Sequence, residues 1–238
     1  MKPKIIYEDE YLFVLDKPAG WIVNESGTVG NTPVIQSWLK ENFKYEIVQN
    51  QEVRSGIVHR IDKETSGVLV VAKTKKIFKN LQDLFKKREV TKTYTALVHG
   101  KVEPKSGNIK APVGRLPWNR QRFGVLPGGR EAETKYFVKG NIHNLAKRQD
   151  YSLLELSPKT GRTHQIRIHL KYLGHAIVAD EFYAGRKTAR ADRKWCPRLF
   201  LHASKISFIH PSTKKKITIE ADLPKELKDP LRFLAKSI

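Results

Sequence analysis

A carboxylate set among cations in a glycine-ended turn is the feature of this chain best suited to chemistry. The segment reads His59-Arg60-Ile61-Asp62-Lys63-Glu64-Thr65-Ser66-Gly67. Asp62 is a candidate nucleophile, with Arg60 and Lys63 as nearby cations. Residues 68–72 follow as an apolar run and read as a buried strand. A carboxylate in a turn braced by a core strand has the rigid support that catalytic groups need. The plainer alternative is a surface loop in which Asp62 pairs with Arg60 or Lys63.

Three more segments hold residues of interest. In Lys92-Thr93-Tyr94-Thr95-Ala96-Leu97-Val98-His99-Gly100, period-2 alternation puts Tyr94, Ala96 and Val98 on one strand face. Tyr94 fits equally well as an ordinary half-buried strand tyrosine. Gly161-Arg162-Thr163-His164-Gln165-Ile166-Arg167-Ile168-His169-Leu170 reads as a turn opening a helix, whose first N–H groups suit a phosphate. Arg167 there is otherwise a helix-surface ion pair worth under about 1 kcal/mol. His164 and His169 stand five apart and diverge on a helix, so they do not form a zinc pair. In Arg198-Leu199-Phe200-Leu201-His202-Ala203-Ser204-Lys205-Ile206-Ser207-Phe208, Leu201 taken alone is core.

These segments need elements to hold them. Residues 5–7 and 11–16 flank Glu8-Asp9-Glu10 as a hairpin, ended by the breakers Lys17-Pro18-Ala19-Gly20. Thr32 as N-cap and Pro33 as first helical residue predict a helix to about Phe43. Thr74 caps a second helix with Ile77, Phe78, Leu81, Leu84 and Phe85 on one stripe. Lys86, Lys87 and Arg88 crowd its last turn, where cations oppose the helix dipole. Residues 91–99 predict a strand, while 103–131 predict little regular structure and a mobile or substrate-shaped loop. Further strands are expected at 134–139, 151–156, 199–202, 205–209 and 217–220. Thr163 is the expected cap of a helix to Leu173, with Gly174 at C′. A short helix follows Pro224. The expected fold class is α+β, with a mixed, largely antiparallel sheet and flanking helices.

Composition narrows the partner. Lys and Arg number 45 against 24 acids in 238 residues, a net charge of +21. Such an excess implies a polyanion, nucleic acid first. The stretch 186–198 adds Arg186, Lys187, Arg190, Arg193, Lys194 and Arg198 around Trp195, against Asp192 alone. Interleaved cations and an aromatic suit phosphate contact with base stacking. A solvated basic loop with a buried tryptophan is the alternative. Cys196 is the sole cysteine, so no internal disulfide or thiolate zinc site forms. No signal peptide or long apolar run is read, and a cytoplasmic protein that does not enter membranes is expected.

The segment around Asp62 resembles the His-Arg-Leu-Asp-x-x-Thr-Ser-Gly signature of RluA-type pseudouridine synthases, with Ile61 in place of Leu. The Tyr94, Arg167 and Leu201 segments resemble that family in the same order, over about residues 5–222. The resemblance implies a single catalytic domain over 1–238 with a central catalytic cleft and without an S4-type RNA-binding domain. It implies Asp62 as catalytic aspartate, Tyr94 as active-site tyrosine and Arg167 as a partner that keeps Asp62 ionised. Leu201 would line the uracil pocket, Arg60 would fill the space of a flipped base, and Arg162 and His164 would touch RNA backbone or brace the loop. Two departures are mild: Ala176 and Ala179 stand where the family usually has Pro and Gly. A larger one is Asn24-Glu25-Ser26-Gly27, which lacks the common His-Pro.

The implied reaction breaks N1–C1′, turns the uracil and rejoins it through C5. It needs no cofactor and no metal. Asp62 would either attack C1′ or remove the C2′ proton, and Tyr94 would stack on the ring and assist at C5. The expected substrate is rRNA or tRNA. The competing classes are a catalytically inactive basic RNA-binding or ribosome-assembly module, and a nucleoside N-glycosidase.

Overall fold

The computed structural model describes residues 1–25, 30–117, 119–145 and 148–235. Ser26 and Gly27 of the divergent N-terminal loop lie outside the described residues. The chain begins with β1 (Lys4–Glu8), β2 (Leu12–Lys17), α1 (Ile35–Asn42), a 3₁₀ turn at Arg54–Gly56, β3 (Ser66–Ala72) and α2 (Lys75–Lys87). There follow β4 (Thr91–His99), β5 (Ser106–Lys110), β6 (Val113–Leu116), β7 (Asn119–Val125), β8 (Glu133–Asn144) and β9 (Gln149–Pro158). Last come α3 (Gln165–Tyr172), α4 (Arg186–Asp192), β10 (Leu201–Ile209), β11 (Lys216–Glu220) and α5 (Lys225–Ala235). The architecture is α+β, and its ladders are largely antiparallel. Two compact units are distinguished: residues 1–92 with 203–222, and residues 93–202 with 223–238.

In the first unit β1 and β2 form the expected hairpin. Asp9 closes it by accepting from the Tyr11 and Leu12 backbone N–H groups at 2.8 and 2.9 Å. β2 pairs with β3 from Leu12↔Ala72 to Lys17↔Gly67. Every residue of β3 is buried, as are Leu12 to Leu15 of β2. Each fully buried aliphatic side chain contributes about 1.5–3 kcal/mol. α2 lays Ile77, Phe78 and Leu81 inward, and the Thr74 hydroxyl caps it by accepting from the Ile77 N–H at 3.3 Å. β10 lies beside β3 and pairs on with β11. Gly67 has φ +114°, and a Cβ there would sit 2.1 Å from the Ala203 carbonyl oxygen. Only glycine lets the end of the signature meet β10 this closely.

α1 starts later than the Thr32-Pro33 signal predicts, with Val34 as its N-cap. The Ile22 N–H donates to the Pro33 carbonyl and the Ile35 N–H to the Ile22 carbonyl, so this stretch stays extended. Pairing to Ile22 outweighs the cap.

In the second unit the strands run in the order β4-β9-β8-β5. The expectation of little structure over 103–131 is overturned. β5 pairs with β8, and β6 with β7 in a separate two-stranded sheet. Several glycines of this stretch are close-approach positions: a Cβ on Gly107 would meet the Tyr136 ring at 2.7 Å. β8 and β9 also run longer than their apolar cores suggest. Residues 199–202 and 205–209 do not form two strands, because β10 is continuous through Leu201–Ile209. The basic stretch opens as the helix α4 rather than a loop. α3 ends at Leu173 with Gly174 left-handed, as expected, but its N-cap is His164 (φ 55°) and not Thr163.

Candidate active site

The residues singled out from the sequence divide between the units. Arg60 and Asp62 belong to the first; Tyr94, Arg162, His164, Arg167 and Leu201 belong to the second.

In the first unit Asp62 is half-buried between the buried Ile61 and the exposed Lys63, and Arg60 is exposed. The Thr65 N–H closes a turn onto the Asp62 carbonyl at 3.1 Å. What holds this turn is Lys17, whose side chain is fully buried. Its Nζ donates to the carbonyls of Pro18 (2.9 Å), Trp21 (2.9 Å) and Lys63 (3.2 Å). The Gly20 N–H donates to the same Lys63 carbonyl at 2.8 Å. An ammonium buried among carbonyls makes strong charge-assisted bonds and ties the Pro-Gly breaker to the residue after Asp62. The residues Lys17-Pro18-Ala19-Gly20 mark a strand end in the sequence and do not by themselves reveal this clamp. A Lys directly before Pro-x-Gly, at the end of an apolar strand, was the available signal.

His59 supports the turn from the other side. The Val70 N–H donates to its Nε2 at 3.0 Å, so the proton sits on Nδ1, and the ring stacks on Phe85 at 4.8 Å. Burial, helped by the positive charge of Lys92, pushes its pKa down to about 3. Burial likewise lowers Lys92 to about 8. His59 is neutral in the fold and takes a proton far more readily when unfolded, near pH 6.5. Its stabilising contribution is therefore complete above about pH 6.5 and is lost as pH falls toward 3. We expect His59→Asn, which keeps an acceptor for Val70, to flatten the loss of stability between pH 7 and 5 in urea titrations. Identical losses in both proteins would contradict the burial of this ring.

In the second unit Tyr94 is half-buried on β4, opposite Leu156 of β9. Arg167 is not a surface residue: only 5% of it is exposed. Its Nε and Nη2 donate to Asp180 Oδ2 and Oδ1, both at 2.8 Å. The guanidinium lies 5.0 Å from the Tyr183 ring centre and 5.5 Å from that of Phe182. Asp180 also accepts from the Phe182 and Tyr183 N–H groups. This fork fixes the plane of Arg167, a task lysine cannot perform. We expect Asp180→Ala, which removes both bonds of this buried fork, to cost about 3–5 kcal/mol in chemical denaturation. A loss below 1 kcal/mol would refute that pairing.

Ala179, next to Asp180, has φ +60°, the left-handed region. That conformation accounts physically for glycine at the matching position of the resembled family, and this chain carries its cost.

The turn before α3 is organised by Gln165. Its Oε1 accepts from the Thr160 hydroxyl (2.7 Å) and the Arg162 N–H (3.0 Å). Its Nε2 donates to the Glu133 carbonyl and Thr134 Oγ1 at 3.0 and 2.9 Å. Arg162 Nε donates to the Glu131 carbonyl at 3.1 Å. His164 Nδ1 lies 2.9 Å from the Tyr183 hydroxyl. Leu201 is buried in the core of the second unit.

Comparison with known proteins adds a family and several relatives. Residues 11–172 match the family described as RNA pseudouridylate synthase. The chain is 36% identical over 233 residues to the uncharacterized RNA pseudouridine synthase YlyB of Bacillus subtilis, covering 98% of this chain and 73% of that protein. It is 39% identical over 229 residues to ribosomal large subunit pseudouridine synthase D of Nitrosomonas europaea, covering 94% and 63%. The solved structure of human RNA pseudouridylate synthase domain containing 1 matches with TM-score 0.72 at 25% identity, over 93% of this chain and 84% of that one.

Proposed function

Because the chain belongs to the RNA pseudouridylate synthase family and is an isomerase that converts uridine in RNA to pseudouridine, we propose that it acts on ribosomal RNA with Asp62 as its catalytic carboxylate. The observation that carries the assignment to Asp62 is the support of its turn. A fully buried lysine and the start of a fully buried strand fix a partly exposed carboxylate, which is the rigid mounting a reacting group requires. Ribosomal RNA is favoured by the large-subunit enzymes among the relatives, and the charge of +21 suits any RNA.

The reaction is an isomerisation: N1–C1′ breaks, C5–C1′ forms, the C5 proton leaves and N1 takes up a proton. Asp62 attacks C1′ or takes the C2′ proton. Tyr94 stacks on the uracil and assists at C5, and Arg167 keeps the carboxylate ionised. Leu201 lines the base pocket, and Arg162 and His164 steady the RNA backbone. Among the described residues no helix is long and apolar enough to cross a membrane, and we place the enzyme in the cytoplasm.

The test is incubation with separate rRNA and tRNA pools carrying [5-³H]uridine. Tritium released from rRNA, with pseudouridine in the digest, is the expected result. Free uracil in place of pseudouridine would make the protein an N-glycosidase. Release from tRNA alone would overturn the substrate.

Arg60, exposed two residues before Asp62, fills the space left by the flipped base. We expect Arg60→Ala to slow turnover on structured RNA roughly tenfold more than on an unstructured oligonucleotide, because only the duplex must be held open. Equal losses on both would sink that role.

A further inference from the structure

The second unit holds a cavity of about 540 Å³ that the isomerisation does not use. Its walls come from the start of β9, the end of α4 and α5, and they include Tyr151, Asp192, Lys194, Trp195 and Phe233. Trp195 is pinned one turn past α4 by its N–H bond to the Asp192 carbonyl at 2.9 Å. Its ring lies 6.1 Å from that of Phe233 and 25° from parallel, and it stands edge-on to Tyr151 at 5.4 Å. Together they make a fixed aromatic wall.

Asp192 supplies the polar group. It is only 3% exposed, and its Oδ2 accepts from His99 Nε2 (2.9 Å) and the Ala179 N–H (2.8 Å). Among the described residues none donates to its Oδ1. A relay sets the protons behind it. The Tyr151 hydroxyl donates to Gln149 Oε1, and Gln149 Nε2 donates to His99 Nδ1. His99 therefore carries its proton on Nε2, facing Asp192, and the carboxylate is left as an acceptor. A nearly buried acceptor beside an aromatic wall calls for a flat ligand bearing an N–H donor.

The cavity's rim carries both Lys194 and Asp229, and α4, whose end lines it, bears further cations. Lys194 lines the cavity, and Arg186, Lys187 and Arg190 of α4 are exposed. Arg198 is the exception in this stretch, being buried and bonded to Glu226 and the Leu199 carbonyl. We propose that this cavity binds an unpaired nucleotide of the RNA substrate whose base carries an exocyclic amino group, stacked at Trp195 with the amino group on Asp192 and the phosphates on the α4 cations. Uracil has no exocyclic amino group, and its one N–H on the pairing edge lies between two carbonyls that the carboxylate would repel, so it binds less well. The inference rests on RNA being the substrate.

The test compares fluorescein-labelled RNA 8-mers of adenosine and of uridine by anisotropy. Wild type binds the adenosine 8-mer roughly tenfold more tightly; Trp195→Ala removes that preference, while Trp195→Phe keeps it. Lys194→Ala, an exposed change, weakens both oligomers a few-fold. Should Trp195→Ala misfold, wild type cross-linked to an 8-azidoadenosine 8-mer decides, with the label expected on residues 194–196. No adenosine preference, a label elsewhere, or AMP binding as tightly as the 8-mer would each overturn the cavity's assignment. Tritium release run alongside separates the two claims. Activity without adenosine preference overturns the cavity alone, whereas adenosine binding without activity overturns the isomerase reading alone.

Discussion

Asp62→Asn releases no tritium from RNA carrying [5-³H]uridine, at least about a thousandfold below wild type, while its affinity for RNA stays within a few-fold. Both routes open to the reaction need a carboxylate. An amide neither attacks C1′ nor accepts the C2′ proton, so the change blocks the chemistry whichever route operates. Binding is spared because the substitution conserves shape and the turn is held by other groups: Lys17, Gly20 and Thr65 bond to main-chain atoms of this loop. Single-turnover rates and anisotropy titrations on the same preparation check both halves. Tritium release within tenfold of wild type would remove Asp62 from the mechanism. A matching collapse in affinity would recast it as a binding residue.

Lys17→Met is the second large effect, and it acts through structure. The thioether fills nearly the same volume but donates no hydrogen bonds. The Pro18 and Trp21 carbonyls lose the ammonium, whereas the Lys63 carbonyl keeps its bond from Gly20. Leaving two partly buried acceptors without a donor costs about 1–3 kcal/mol each, so a total of about 2–6 kcal/mol is the upper range expected in urea titrations. Because the clamp meets the residue after Asp62, turnover of the remaining folded protein should drop at least tenfold, with KM for RNA changing less. Lys17→Arg, which keeps the charge but not the compact fit, should recover part of the stability and less of the rate. Full activity in Lys17→Met would show that the turn holds its shape without the buried cation.

The sequence was most legible where pattern and structure share one period. The hairpin around Asp9, the Thr74 cap, the stripe of α2 and the strand Thr91–His99 all follow from local spacing. Legibility failed where distant partners decide. Gly107 and Gly129 read as breakers until Tyr136 and Val113 press against them, a relation that local sequence does not contain. Thr32 and Pro33 signal a helix start correctly in isolation, but Ile22 claims their neighbours' backbone groups. Within the candidate site the motif residues were readable, since chemistry restricts their types. The residues that hold them were not. The roles of Lys17, Gln165 and Asp180 come from burial and from the carbonyls or guanidinium they meet, which the sequence does not display. Asp192 was counted merely as the one acid in a basic stretch, although its carboxylate is nearly buried.

The first unit is assembled from the beginning and the later part of the chain, residues 1–92 and 203–222. During synthesis β2 and β3 leave the ribosome early, whereas β10, the other neighbour of β3, emerges only after the whole stretch 93–202. Until then β3 presents an open edge of seven residues that the finished fold buries completely. Unpaired apolar edges recruit other strands, so the nascent chain passes through a window of aggregation risk that the completed protein does not have. The glycine that lets β10 press against the turn carrying Asp62 thus also closes that edge, and assembly of the turn's full support waits on nearly the last strand to be made.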